Sequence, residues 1–425
     1  MPEYPPNTAP GAPLWRSRKF WPLFTTQFLG SFNDNLFKNA LVVLALFQLS
    51  AHAGAVLVAV SGGLFLLPYA IVSATAGQLA DAHEKSRSIV WIKFWELGLM
   101  FIALAGFLSG SIPLLLAVLL GLGLQAAFFS PLKYGILPDF FEHEDLIEAN
   151  GLVEAGTFGG IILGTLAGGV IFALPHGATL VPIAGICVSL AGITAAFAIP
   201  QVPAAAPGLR LGWNFWTGTV ELLRLARGEK PVWFACLAIS WFWALGATVL
   251  AAFPTLARNV LHADAHVVTL LLGIFAVGVG LGSLLAARLV RDASLLRLTV
   301  PAGLGISLFT ADLAWTALHL GAAPAIHLLL GSWSGWRFCA DLGLLSICGG
   351  MFSVPFYVLL QEKSPVTHRA RMVGANNVVN ALATVAAGAL AAVGYALGVG
   401  APEVLFVTAA LNLAVTIWVL LRRNF

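Results

Sequence analysis

The sequence predicts an all-α polytopic membrane protein with twelve transmembrane helices in two six-helix halves. Three observations lead to this prediction. Of 425 residues, 59% are hydrophobic and only 10% are charged, whereas soluble domains carry about 25% charged residues. Apolar runs of roughly 20 residues, the length that crosses a bilayer, recur along the whole chain. The only long polar break, residues 200–230, divides these runs into two groups of six.

The predicted spans share an apolar composition and are separated by short polar loops. They cover residues 20–50, 56–80, 88–109, 112–136, 148–174 and 178–199 in the first half, and residues 231–257, 267–290, 296–318, 340–362, 371–397 and 402–421 in the second. Residues 1–19 form a Pro-rich tail that is predicted to be disordered. The predicted domains are therefore this tail, an N-terminal half over 20–199, a cytoplasmic linker over 200–230 and a C-terminal half over 231–425.

The linker has a pattern of its own. It opens with a Pro-rich turn, PQVPAAAPG, and continues into an amphipathic stretch that contains Trp213, Trp216, Arg224 and Arg227. Such a stretch is typical of a helix that lies on a membrane surface.

The positions of Lys and Arg predict the orientation, because cytoplasmic loops are enriched in these residues. With both termini in the cytoplasm, 19 of the 22 Lys and Arg residues fall in or beside cytoplasmic loops and ends. Arg258 and Arg337 fall on the outer side, and Lys38 falls within a span.

The first predicted span carries a polar band in residues 27–41, QFLGSFNDNLFKNAL. An ionised side chain at bilayer depth costs a few kcal/mol, so such residues are usually functional. Asp34 and Lys38 are four residues apart on one helix face and can pair with each other. Asn35 and Asn39 form a second pair at the same spacing. The band predicts either a ligand site or an internal ion pair that holds the helix in place.

Two segments of the first half recur in the second. FSPLKYGIL, from Phe129, aligns with FSVPFYVLL, from Phe352, and ANGLVEA, from Ala149, aligns with ANNVVNA, from Ala375, at offsets of 223 and 226 residues. The alignment matches Asn150 with Asn376 and Glu154 with Asn380. A repeat in the same direction implies two halves related by an axis along the membrane normal, as in major facilitator transporters.

The loop between the second and third spans has the sequence GQLADAHEKSR, residues 77–87. The major facilitator superfamily carries G-x-x-x-D-R/K-x-G-x-R/K-R/K here, which this chain resembles at Gly77, Asp81, Lys85 and Arg87 and departs from at Ala82 and Glu84. In that family the Gly lets two helices approach, and the Asp caps a neighbouring helix and pairs with basic residues. The resemblance implies a gating latch, with Arg288 or Arg291 as candidate partners of Asp81.

Within the superfamily, the chain resembles the LplT family of lysophospholipid transporters. The resemblance rests on the polar band and on the segments SATAGQLAD (73–81), FFSPLKYGILP (128–138), ANGLVEAGTFGGIILGTLAGG (149–169), ISWFWALGA (239–247), VVTLLLGIFAVGVGLGS (267–283) and GANNVVNAL (374–382). It implies a flippase that moves lysophospholipids, chiefly lysophosphatidylethanolamine, to the cytoplasmic leaflet of the bacterial inner membrane for re-acylation. Some such transporters are fused to an acyltransferase and an acyl-carrier-protein synthetase. This chain has no HxxxxD acyltransferase signature, so those enzymes are implied to be separate partners.

A zwitterionic head group needs an anionic partner for its amine and donors for its phosphate. Asp34, which falls on the acidic residue of the family's first-helix motif, and Glu154 are the candidates for the amine. The other predicted substrate-binding residues are Asn35, Lys133, Asn376 and Asn380 for the phosphate, Trp241 and Trp243 for the acyl tail, and Lys38 beside Asp34. The structural alternatives are an internal pair for Asp34 and Lys38, an interfacial lysine for Lys133 and an acceptor for the Asn-rich start of the eleventh span for Glu154. For Asn376 and Asn380 the alternative is hydrogen bonding between helices, and for Trp241 and Trp243 it is packing.

Two other functions stay open at this point. A proton-coupled exporter of small amphipathic molecules on the same fold would use Asp34 or Glu154 as its proton carrier. A lipid-binding scaffold that recruits an acyltransferase would bind the lipid without transporting it. No catalytic residue, cofactor, metal site or nucleic-acid partner is expected, since the chain has no GxxxxGK[ST] loop and its histidines match no ligand spacing.

Overall fold

The computed structural model describes residue 14 and residues 17–48, 50–212, 214–290 and 295–422. Most of the predicted disordered tail therefore lies outside the described residues, as do Trp213 and Arg291.

The described residues fold into α-helices joined by short connections. The first six are α1 (Phe20–Gln48), α2 (Ala51–Ala82), α3 (Lys85–Ser109), α4 (Ile112–Phe140), α5 (His143–Phe172) and α6 (Gly177–Phe197). They are followed by α7 (Phe215–Gly228), α8 (Lys230–Asn259), α9 (Ala265–Leu289), α10 (Thr299–His319), α11 (Ile326–Leu330), α12 (Trp333–Lys363), α13 (Arg369–Ala396) and α14 (Ala401–Arg422).

Every predicted span coincides with one long helix. Ten helices of the described chain are long and apolar enough to cross a membrane. The other two, α1 and α10, have 29 and 21 residues and so also reach the length of a span. They are less apolar, in α1 because of its polar band. The clearest difference in position is at α12, which begins at Trp333 instead of residue 340.

The helices form two compact units, which differ in two respects from the predicted domains. The first unit contains Met1–Glu229 and Gln361–Val378, and the second contains Lys230–Leu360 and Val379–Phe425. The linker thus belongs to the first unit. The end of α12 and the start of α13 also pack with the first unit, although the prediction placed them in the C-terminal half.

In the first unit, α1 packs closely along α5 through glycines at four-residue spacing. A Cβ atom on Gly164 would lie 2.2 Å from the carbonyl oxygen of Phe32, and one on Gly168 would lie 2.4 Å from that of Leu36. Gly160 meets the carbonyl oxygen of Phe28 in the same way, whereas Gly156 meets the side chains of Phe24 and Gln27. Small residues let membrane helices approach at backbone distance. This packing holds the polar band of α1 against α5, the helix that carries Glu154.

Beyond the band, α1 continues into an apolar core. Phe37 and Leu41 are fully buried among Leu99, Met100 and Leu119, which come from α3 and α4. α1 is therefore enclosed by its neighbours along most of its length, and a polar side chain on it has to find its partners inside the unit or in a ligand.

The close approach of α1 and α5 can be tested at Gly164. Gly164→Ala places a methyl group within 2.2 Å of a backbone oxygen, which a side-chain rotation cannot relieve. We expect a loss of about 1–3 kcal/mol or more, the usual cost of overpacking, seen as a lower melting temperature of the purified protein. Gly159→Ala is the matched control on the same helix, because its Cβ would lie at an ordinary 3.6 Å from Phe28. Equal melting temperatures for the two variants would contradict the packing described.

Candidate functional site

The polar band of α1 does not form the internal ion pair that its spacing allows. The ion pairs of the described residues do not include one between Asp34 and Lys38. The Nζ atom of Lys38 instead lies 5.4 Å from the centroid of the Phe65 ring. Oδ1 of Asp34 is buried and has no hydrogen-bond partner in the described part of the chain. Asn35 donates from Nδ2 to the carbonyl of Ser31 in its own helix, at 2.8 Å.

Two of the predicted residues, Lys133 and Glu154, are linked through Tyr134 inside the first unit. Tyr134 donates from its hydroxyl to Oε2 of Glu154 at 3.3 Å, and Nζ of Lys133 lies 4.5 Å from the centroid of the Tyr134 ring. Lys133 and Glu154 are only 8% and 1% exposed. The charge of Lys133 interacts electrostatically with both Glu154 and Asp34. Asp34, Lys133 and Glu154, from α1, α4 and α5, are called the charged cluster below.

The charged cluster contains a second buried acceptor without a partner. Oε1 of Glu154 has no hydrogen bond to any described residue. Buried polar atoms are nearly always hydrogen-bonded to protein or ordered water, so each exception needs an explanation. Two carboxylates, each with one such oxygen, are a suitable receptor for a cationic group.

The first turns of α13 add amide groups to the first unit. Asn376 is 1% exposed, and its Oδ1 makes no hydrogen bond within the described chain. Asn377 accepts from the hydroxyl of Ser130 on α4 at 3.1 Å, while its Nδ2 lacks a partner among the described residues. Asn377 was not predicted, because the repeat alignment drew attention to Asn376 and Asn380 only. The signal that could have found it is its position directly after Asn376 in the sequence ANN, residues 375–377.

The remaining predicted residues belong to the second unit and are hydrogen-bonded there. Asn380 accepts from Ser240 at 2.6 Å. The indole of Trp241 donates to Asn412 at 2.8 Å, and that of Trp243 donates to Tyr357 at 2.9 Å.

The two tryptophans face different helices, α14 and α12, because two residues turn a helix by about 200°. The two indoles therefore do not line one common surface for the acyl tail that was assigned to both.

A fully buried ion pair lies beside the polar band. Lys93 and Glu96 pair on α3 and are 1% and 0% exposed. Asn33 donates to Oε1 of Glu96 at 2.9 Å and Gln125 donates to Oε2 at 3.2 Å, while the Ser189 hydroxyl lies 3.4 Å from Oε1. This network joins α1, α3, α4 and α6 at the residue next to Asp34.

The sequence does not predict this network. The charge distribution places Lys93 among the cations beside the inner loops, whereas the structure buries it, and no role for Glu96 follows from the sequence. The signal was present, because Lys and Glu three residues apart in an apolar run share a helix face.

The predicted latch residue Asp81 caps α13. It is fully buried, and its Oδ1 accepts from the backbone N–H of Ala370 at 3.0 Å. Its Oδ2 accepts from the backbone N–H of Arg371 at 3.2 Å and from Nε of Arg371 at 3.0 Å. A Cβ atom on Gly77 would lie 2.8 Å from Cα of Arg371. Gly77, Asp81, Ala370 and Arg371 are called the clasp below.

The partner of Asp81 differs from the predicted one. It is Arg371 on α13 and not Arg288, and Arg291 lies outside the described residues. The carboxylate accepts from N–H groups in the first turn of α13, which have no partner within the helix. A helix N-terminus is a favourable place for an anion.

The other latch residues fall into two groups. Lys85 is buried and pairs with Asp139 at 2.7 Å, and Asp139 also pairs with Arg369 at 3.3 Å. Arg87 is exposed; its backbone N–H donates to the carboxylate of Glu84, which caps the start of α3. Lys85 is thus connected to Arg369, at the start of α13, through the shared partner Asp139. The Arg87 side chain is exposed instead.

Comparisons with known proteins define the class. The sequence profile of the Major Facilitator Superfamily matches residues 23–388. The fold is similar to the fucose:proton symporter FucP of E. coli, with a TM-score of 0.72 and 14% identity over 96% of this chain and 98% of that one. It is also similar to the human organic anion transporter MFSD10, with a TM-score of 0.69 and 14% identity over 95% and 99% of the two chains. These likenesses confirm the predicted twelve-helix transporter fold.

Two bacterial relatives are closer in sequence. The lysophospholipid transporter LplT of Escherichia fergusonii is 31% identical over 375 residues, which cover 86% of this chain and 84% of that protein. LplT of Cronobacter sakazakii is 30% identical over 383 residues, 88% and 86% of the two chains. The chain therefore belongs to the major facilitator superfamily and, within it, to the LplT family. It is a multi-pass membrane protein of a transporter family.

The buried ion pair makes a sharp prediction about stability. Lys93→Met leaves the Glu96 carboxylate buried without its cation, which typically costs 3–5 kcal/mol, roughly, for a pair of this kind. The double variant Lys93→Met/Glu96→Gln removes both charges and keeps one acceptor oxygen, which serves either Asn33 or Gln125. We expect it to recover most of the lost stability, measured by thermal unfolding in detergent. A double variant as unstable as Lys93→Met would show that packing at these sites, and not charge pairing, is what matters.

Proposed function

We propose that this protein is a flippase that moves lysophospholipids of the lysophosphatidylethanolamine type to the cytoplasmic leaflet by alternating access. The observation that carries the proposal is the charged cluster. It buries Asp34 and Glu154 together with Lys133 at membrane depth, in a chain whose relatives are named lysophospholipid transporters. A zwitterionic head group carries one positive and one negative charge, and the cluster offers counter-charges for both.

The proposed contacts follow from the atoms that lack partners. The ammonium group binds at Oδ1 of Asp34, and Oε1 of Glu154 is a second buried acceptor at another level of the first unit. The phosphate binds Lys133, with Nδ2 of Asn377 as a further donor. Leaving a polar group buried without a partner costs about 1–3 kcal/mol. Head-group binding relieves this cost at several atoms at once, which favours the zwitterion over an uncharged solute.

Orientation and partners form the finer part of the proposal. We place both termini in the cytoplasm and the protein in the bacterial inner membrane, on the distribution of its Lys and Arg residues. The lysophospholipid delivered to the cytoplasmic leaflet is then re-acylated by a separate acyltransferase.

The direct test is lipid movement in liposomes that contain the purified protein. Labelled lysophosphatidylethanolamine should cross faster than two-chain phosphatidylethanolamine, because a second acyl chain must be carried past the same helices. Protein-free liposomes give the background rate. Equal rates for both lipids, or no rate above background for either, would overturn the proposal. Binding without movement would identify a lipid-binding scaffold instead.

The same assay separates the second candidate, a proton-coupled exporter. The partnerless oxygens of Asp34 and Glu154 favour it to the extent that a buried carboxylate can bind a proton as well as an ammonium group. A rate that depends on an imposed proton gradient would show coupling. Transport of small amphipathic molecules without transport of lysophospholipid would replace the proposed function by this one.

The role of Asp34 is tested by Asp34→Asn, which keeps the size and removes the charge. A hydrogen bond to a charged group is worth about 1.5–3 kcal/mol, so the transport rate should fall about tenfold or more. Glu403→Gln, which removes an exposed carboxylate from α14, is the control and should transport normally. If Lys38→Ala in the Asp34→Asn background restores the full rate, Asp34 serves only to balance Lys38, and its contact with the head group is refuted.

The clasp should act as a gate. Asp81→Asn keeps one acceptor atom where the carboxylate accepts three hydrogen bonds. We expect the start of α13 to leave the first unit more often and net transport to slow, while lysophospholipid binding persists. Cysteine labelling at Ser73, a fully buried residue of α2 whose carbonyl oxygen lies against Gly374 of α13, should become faster in this variant. Glu144→Gln, which alters an exposed carboxylate in the first turn of α5, is the control. Equal labelling rates in the wild-type protein, Asp81→Asn and Glu144→Gln would exclude the clasp as a gate.

A further inference from the structure

The linker helix α7 has two faces that are both partly apolar. One face packs into the first unit, where Gly218, Leu222 and Ala226 are buried. The other face points away from the protein, with Trp216 84% exposed and Val220 54% exposed. A tryptophan that is this exposed on a helix of a membrane protein indicates contact with something outside the chain.

The buried face of α7 covers the place where α2 and α13 meet. A Cβ atom on Gly374 of α13 would lie 2.6 Å from the carbonyl oxygen of Ser73 on α2 and 3.7 Å from Cδ2 of Leu222. Ahead of the helix, the backbone N–H of Gly212 donates to Gln78 of α2 at 2.9 Å. α7 therefore supports the contact between α2 and α13, one turn from the clasp.

The depth of α7 matches the surface of a membrane. Gly374 is the sixth residue of α13, so it lies roughly 7–8 Å from the N-terminus of that helix. α7 ends at Gly228, and the membrane-spanning α8 begins at Lys230. Amphipathic helices at a bilayer surface bury their apolar face about 5–10 Å into the head-group boundary. On the orientation given under the proposed function, this surface is the cytoplasmic leaflet.

The exposed face also carries positive charge. At about 100° per residue, Trp216, Val220 and Arg227 lie within about 40° of one another, and Arg224 lies next to them. Both arginines are exposed, whereas the exposed Glu221 lies about 140° from Trp216, on another side of the helix. An aromatic and aliphatic stripe beside arginines is complementary to a bilayer surface that contains anionic lipid.

We propose that this face of α7 docks on the anionic surface of the cytoplasmic leaflet, and that docking stabilises the α2–α13 contact and the clasp. Anionic lipid is then a regulator of the gate, distinct from the transported lipid. The proposal depends on the proposed orientation but not on the identity of the substrate.

Docking itself is tested with an environment-sensitive fluorophore on α7. Trp216→Cys and Glu221→Cys, each in a background without the four native cysteines, are labelled and placed in liposomes with brominated lipid. The label at 216 should be quenched strongly and the label at 221 weakly, because the two positions face different sides of one helix. Equal quenching at both positions, or none at 216, overturns the proposal. A label at 216 that is shielded only when another protein is added would assign this face to a protein partner and also overturn it.

The regulatory part is tested by hydrogen exchange of the segment 361–378, which carries the clasp residues of α13. Its protection should rise when phosphatidylglycerol is added to phosphatidylethanolamine liposomes. Arg224→Gln/Arg227→Gln should reduce that lipid-dependent gain by roughly thirtyfold, the effect expected for two arginines at an anionic surface. The control Arg258→Gln/Arg297→Gln removes the same charge outside α7. The proposal is refuted if the wild-type protein shows no gain or if both double variants behave alike. Neither readout measures transport, so a failure of the proposed substrate leaves this test intact.

Discussion

The cost of placing charge inside a membrane governs the first unit. An unpaired buried charge is expensive, so an intramembrane charge is either paired with another side chain or kept for a ligand. Lys93 and Glu96 show the first solution, since each is fully buried and the carboxylate is surrounded by donors. Asp34 and Glu154 show the second, since each keeps a buried oxygen with no partner among the described residues. Whether a buried charge is paired thus distinguishes the structural network, which includes Asn33, from the candidate site, which includes the next residue, Asp34.

The structural network and the glycine contact together determine where Asp34 points. Asn33 is tied to Glu96, and the carbonyl of Phe32 lies against Gly164 of α5. Successive residues of a helix are about 100° apart, so these two contacts fix the rotation of α1 about its axis. Asp34 then points in a set direction, within electrostatic reach of Lys133 on α4. A substitution at Gly164 or Glu96 should therefore change the direction of the Asp34 side chain, although neither residue belongs to the charged cluster.

Much of this arrangement could be predicted from the sequence, because hydropathy fixes helix positions and α1, α4 and α5 each carry a charge in an apolar run. What failed were predictions of partners. The spacing of Asp34 and Lys38 permits a pair, but packing turns Lys38 towards Phe65. Arg371 was missed as the partner of Asp81, since residues 290 positions apart in the chain come together only through tertiary structure. Trp241 and Trp243 were assigned one role although their spacing places them on different helix faces.

The clasp combines strong local interactions with a small net free energy. Asp81 accepts two backbone hydrogen bonds and one from a guanidinium group, and it is fully buried while it does so. When the clasp opens, water replaces these partners, so only the difference between the two environments opposes opening. In a transporter that works by alternating access, such a balance keeps both states within reach, since about 1.4 kcal/mol changes their ratio tenfold. In the proposed gate, contacts at the margin of the clasp, such as that of Leu222 on α7 beside Gly374, would contribute to this balance.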